Sequence, residues 1–231
     1  MYDPNISIAL NVSRARLTVI GFMLTIDIFV LGIFLSDVDQ HLSLQILTGA
    51  SLFFGLVSSL CIGTVAAALL LISERFDPTG NSDVGIFAFA EMTMFVSIVL
   101  TISGIFDGFV TLFQVNLGAT AINAIGVTTG EVALIDAGDF FSQLVFWLFA
   151  LSWGFMTYVA PLWSVARLPC SPAHKRVYIA YYFLFTALMF ALFAYALDIE
   201  FLIKGDSPGF IQLFLQSFWA PSLWGDVAGA T

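Results

Sequence analysis

Three acidic residues, Asp27, Glu91 and Asp107, stand inside long apolar runs of a 231-residue chain. The stretch FMLTIDIFVLGIF, residues 22–34, is apolar apart from one threonine, one glycine and Asp27. An aspartate at the centre of a membrane-spanning helix costs roughly 2.5–3.5 kcal/mol on insertion scales, so such groups face a partner, a cavity or an ion path. The chemistry open to a carboxyl at that depth is narrow. It can stay neutral and donate a hydrogen bond across helices, or it can bind and release a cation on a path through the protein. Asp27 is central in its run, Glu91 lies in the first part of its own, and Asp107 lies toward the far end of the same run, where snorkelling and interface water lower the penalty.

Other membrane chemistries lack their residues. Haem would take axial ligands at depth, and the two histidines, His41 and His174, fall in loops. A retinal Schiff base requires a lysine within a span, whereas Lys175 and Lys204 stand at span ends. HExxH, a Walker loop and clusters of His, Cys and carboxylate are missing, and no histidine stands at depth to activate a serine. The reading is therefore of a protein that is not an enzyme, with no catalytic residue, no cofactor and no metal.

The elements that hold these acids are set by composition. The chain is 60% hydrophobic with a mean hydropathy of +0.99, and only 10% of its residues are charged, against roughly 25% in soluble domains. A net charge of -9 argues against nucleic acid, which calls for basic patches. About 20 apolar residues cross a bilayer, and five segments reach that length: 17–35, 44–72, 84–113, 140–166 and 177–203. Between them stand SDVDQH, SERFDPTGNSD and ARLPCSPAHKR, with the charge, Pro and Gly of boundaries. Arg14 and Arg16, Arg75, and the group Arg167, Lys175 and Arg176 fall on alternate loops, which places the N-terminus inside and the C-terminus outside. The outer side then carries Asp37, Asp39, Glu131, Asp136, Asp139, Asp206 and Asp226, a surface that would concentrate cations.

The loop 114–139 reads as interfacial or extramembrane with short structure, a re-entrant segment being the alternative. SPGFIQLFLQSFWAPSLWGD reads as a short interfacial helix started by Pro208, with Trp219 and Trp224 at headgroup depth. Pro161 predicts a kink in the fourth span. Tyr178, Tyr181 and Tyr182 read as interface anchors, and Glu200 and Lys204 are spaced for an i,i+4 pair.

Helical rotation at 100° per residue places Thr93, Ser97, Thr101, Gly104, Asp107 and Gly108 on one stripe of the third span, with Glu91 nearly opposite. In the first span Thr18, Gly21, Thr25 and Gly32 share one side. Asp27 lies on the other, aligned with Arg16, Ile20, Met23, Leu24, Leu31 and Phe34. The second span spaces Ser51, Gly55, Ser59, Gly63 and Ala67 by four, a seam for close helix packing to which the third adds Gly104 and Gly108. Its partner is either another span of the chain or a second protomer.

The run SRARLTVIGFMLTIDIFVLGIFLSDVDQHL resembles the first span and loop of Orai calcium channels. That resemblance implies a pore helix with Arg16 in a basic inner section, Leu24 and Leu31 in an apolar gate, and Asp37 and Asp39 as outer acids. The chain departs from that pattern in lacking an acid at the outer end of the helix, in placing Asp27 deeper, and in having a fifth span.

Together these features predict an all-α integral membrane protein with one transmembrane domain over 1–231, a bundle of about five helices in the plasma or inner membrane. The expected function is that of an ion-conducting or ion-coupled protein, a cation-selective channel or transporter. Asp27, Asp107 and Glu91 are its ion-pathway candidates, and Arg16 is the basic inner mouth. Expected partners are the lipid bilayer, cations, and either further copies of the chain or a larger membrane complex. The alternative is a non-catalytic membrane subunit or assembly factor that docks through the seam on the second span.

Overall fold

A computed structural model describes the backbone of residues 4–36, 49–75, 83–124, 144, 147–205 and 208–219, and side chains within 14–32, 49–73, 84–106, 144, 147–203, 205 and 208–218. Every regular element among these residues is helical: α1 (Pro4–Ser36), α2 (Ala50–Arg75), α3 (Asp83–Ala124), α4 (Trp147–Arg167), α5 (Pro172–Lys204) and α6 (Phe210–Trp219). The first five are long and apolar enough to cross a membrane.

Helix ends follow local chemistry. At the start of α5 the Ser171 side chain accepts from the His174 N–H, and Pro172 takes the first position, where no N–H is needed. Gly205 closes the same helix at φ 87°, its N–H reaching the Phe201 and Leu202 carbonyls. One boundary differs from expectation. Residues 114–124, read from the sequence as part of a loop, continue α3, because neither proline nor charge interrupts them. Residues 125–139 lie outside the described part.

Within α4 the helix widens into a π turn over Phe155–Val159. Pro161 explains why the widening needs help from outside. It has no N–H for the carbonyl four residues earlier, that of Thr157, and the Tyr182 hydroxyl on α5 donates to that carbonyl instead, at 2.8 Å. Tyr182 and Tyr178, expected as interface anchors, are accordingly buried inside the bundle. Phe89 meets the edges of Tyr178 and Tyr181, and the Thr93 and Tyr181 hydroxyls are hydrogen-bonded at 3.0 Å.

The hub is α3. In an apolar 18-residue stretch of its span 72% of residues are buried, against 17% for the corresponding stretch of α1, which therefore lies at the edge of the bundle. Met92, Met94, Val96, Val99 and Leu100 are buried around the whole circumference of α3, as expected of a helix that is apolar on every side. Helices α2, α5, α4 and α1 surround it. Many of the exposed side chains are large and apolar, including Phe22 and Phe29 on α1, Leu151 on α4 and Leu184 on α5.

Candidate functional site

The α2–α3 contact is where backbones come closest. A Cβ added to Gly55 would stand 2.9 Å from the Gly104 Cα, which excludes a side chain without a shift of backbone, and one added to Gly104 would stand 3.3 Å from the Gly55 Cα, a tight fit. The seam of small residues thus packs on α3 of the same chain. Two turns along α2, a Cβ on Gly63 would lie 3.0 Å from the Ser97 Oγ and 3.3 Å from Leu24 on α1. Three helices converge at that level. Gly108 and Asp107 lie on α3, and their side chains are outside the described residues.

This close approach brings four polar side chains together between α1, α2 and α3. Asp27 is wholly buried, and Ser59, Ser97 and Thr101 are at most 4% exposed. The Thr101 hydroxyl donates to Asp27 Oδ2 at 3.2 Å. Ser59 and Thr101 are hydrogen-bonded hydroxyl to hydroxyl. Ser59 Oγ also lies 3.0 Å from the Ser97 carbonyl and 3.2 Å from Ser97 Oγ, and the Ser97 hydroxyl donates to the Ser59 carbonyl at 2.9 Å. The result is a hydroxyl chain that ends on a carboxyl. Hydroxyls both donate and accept, so the chain can be polarised in either direction: toward Asp27 when it is a carboxylate, and away from Oδ2 when that oxygen carries a proton. Asp27 Oδ1 is buried and has no hydrogen-bond partner among the described residues.

The other acids are held differently. Glu91, 3% exposed, forms an ion pair with Arg16 on α1. Arg16 and Asp27 share the face of α1 that lies against α2 and α3, with Ile20 and Leu24 between them. Glu200 on α5 accepts from both the backbone N–H and the hydroxyl of Ser51 at 2.7 Å, which satisfies a donor at the N-terminus of α2. The Lys204 side chain and residues Asp37 and Asp39 lie outside the described part.

Of the residues that the Orai resemblance would place along a pore, Leu24 and Leu31 pack on neighbouring helices of the same chain, while Arg16, 34% exposed, is paired with Glu91. Leu24 stands over Gly63, and Leu31 is buried with Leu52 and Leu56. The opposite side of α1, with Thr18, Gly21, Thr25 and Gly32, is exposed; its two threonines return their hydroxyls to backbone carbonyls one turn earlier. The sequence places Ser97 and Thr101 on one polar stripe and reads Ser59 only as a packing residue. A hydroxyl within a glycine seam is the feature that marks Ser59.

No family model, curated protein or solved structure matches this chain. Among the described residues no three His, Cys, Asp or Glu side chains converge as a metal site would require.

Proposed function

We propose that the chain is a multi-pass integral membrane protein that couples to or conducts a cation, that the cation is the proton, and that Asp27 binds and releases it. The observation that carries this reading is a wholly buried carboxyl, central in a span, with one oxygen on a hydroxyl chain and the other without a partner among the described residues. The proton fits the chemistry better than a metal ion does. Calcium takes roughly 6–8 oxygens, whereas one carboxyl and three hydroxyls meet here, already in contact with one another. Among the residues of α1, α2 and α3 whose side chains are described, the other charged ones are Arg14, Arg16 and Glu91. With the N-terminus inside, the Arg16–Glu91 pair lies on the inner side of Asp27, with Ile20 and Leu24 as the apolar barrier between. Asp107 is the candidate for the outer side of the path.

The reading is tested by reconstituting the protein in liposomes with a pH-sensitive dye inside and imposing a pH gradient or a sodium gradient. Wild-type protein is expected to move protons down the pH gradient, Asp27→Asn to reduce flux to background, and Asp107→Asn to slow it. An inert wild type, or an Asp27→Asn protein that conducts like wild type, ends the reading. Flux driven by sodium alone would keep the carboxyl and replace the ion. A non-catalytic subunit or assembly factor, the alternative, would have to dock through another face, because α3 occupies the α2 seam.

A further inference from the structure

Helix α6 is amphipathic and short, which by sequence puts it on the membrane surface. Its neighbours place it deeper. Leu213 is buried with Phe193, Ala194 and Leu197 of α5. The Phe218 ring lies 5.3 Å from that of Phe190, edge to face. As the residue number rises along α6 it falls along α5, so α6 runs back along α5 from the end where Gly205 turns the chain.

Three helices report the depth at which α6 stops. Phe190 is close to the middle of the span Pro172–Ile203, and Tyr158, whose hydroxyl donates to the Phe218 carbonyl, is at the middle of Trp147–Arg167. Val99, in the same cluster as Phe214 and Phe218, is well inside the span Val84–Phe106. All three agree. The Tyr158 hydrogen bond has a physical reason at that depth, since the last four carbonyls of a helix lack internal partners and the hydrocarbon core has no water to satisfy them. Tyr158 stands on the π turn of α4, so the widened turn and the end of α6 meet.

We propose that α6 is a re-entrant half-helix: it enters from the end of the bundle where α5 stops, docks against α4 and α5, and finishes near mid-depth, with Tyr158 covering a terminal carbonyl. This rests on α3, α4 and α5 spanning a bilayer, and not on transport. The faces of Phe210, Ile211 and Leu215 that point away from the bundle would then meet acyl chains rather than headgroups.

Spin labels separate the two placements. Ile211 and Leu215 on α6, and Leu192 and Leu202 on α5, are all exposed, so cysteines there leave the packing intact; Cys61 and Cys170 are first replaced by serine. In the full chain in liposomes, collision with oxygen and with a water-soluble nickel chelate gives the depth of each label. The expected result is that Leu215 is deeper than Ile211 by up to about 6 Å, at 1.5 Å per residue, and matches Leu192 rather than Leu202. Equal shallow depths for Ile211 and Leu215, or full access of both to the nickel chelate, would overturn the proposal. As a second measure, Tyr158→Phe should increase mobility at Leu215 and leave Leu192 unchanged; no change at Leu215 would remove the terminal hydrogen bond from the account.

Discussion

Helix α1 is gripped at two levels by α3, and the two grips differ in kind. At one level Glu91 is buried against a guanidinium; at the other Asp27 is buried more completely, yet meets one hydroxyl and leaves an oxygen bare among the described residues. The first resembles a structural clamp, because an arginine cannot lose its charge in a protein and so holds a permanent cation against the acid. The second has two states, distinguished by one proton and by the direction of a hydroxyl chain. Burial alone therefore does not single out a working carboxyl. What separates the two acids is the partner each meets, a fixed cation for Glu91 and a hydroxyl for Asp27.

Stability measurements in detergent can break this contrast, and the greatest loss is expected at the ion pair. Arg16→Met leaves the Glu91 carboxylate buried without a counter-charge, and breaking such a pair costs roughly 3–5 kcal/mol. Arg16 is 34% exposed, so a loss near the lower bound is expected. Adding Glu91→Leu should recover most of it, and a double variant as unstable as the single one would show that the clamp is not the pair. Gly63→Ala comes next. Its methyl group would press on Ser97 Oγ and Leu24, with a loss of about 1–3 kcal/mol typical of overpacking, whereas Gly32→Ala, with nothing within 4 Å, is the matched control.

Thr101→Val removes the donor to Asp27 and should lower stability by about 1 kcal/mol, within the range of interhelical hydrogen bonds in membranes. The smallest effect belongs to Asp27→Asn. An amide can keep the bond to Thr101, so the unfolding midpoint should move by less than the equivalent of about 1 kcal/mol while proton flux disappears. A large loss of stability with flux retained would make Asp27 the clamp and reverse the comparison.

Much of this arrangement is legible in sequence, and the limit is physical. Spans follow from apolar length, and the face of α1 that carries Asp27 and Arg16 follows from rotation, because eleven residues return a helix nearly to the same azimuth. The pairing of Arg16 with Glu91 does not follow, since rotation orients a side chain about its own axis and says nothing of which neighbour occupies that azimuth. The central position of α3 is hinted at by its uniformly apolar and small character. Pro161 announces a break in α4, but not that Tyr182, on another helix, supplies the missing donor. Glu200 is read from its own helix as a partner for Lys204, whose side chain lies outside the described residues, while its carboxyl reaches Ser51 on α2.

That last contact has a consequence for how the protein is made. Ser51 lies in the first turn of α2, yet the carboxyl that receives its N–H is added 149 residues later. Chains emerge N-terminus first, so the ribosome delivers α2 well before the group that completes its first turn. Any nascent chain interrupted ahead of Glu200 carries an open helix start within its first hairpin. The contact therefore forms only once the end of α5 has been made, so this first-turn partner of α2 joins late in assembly.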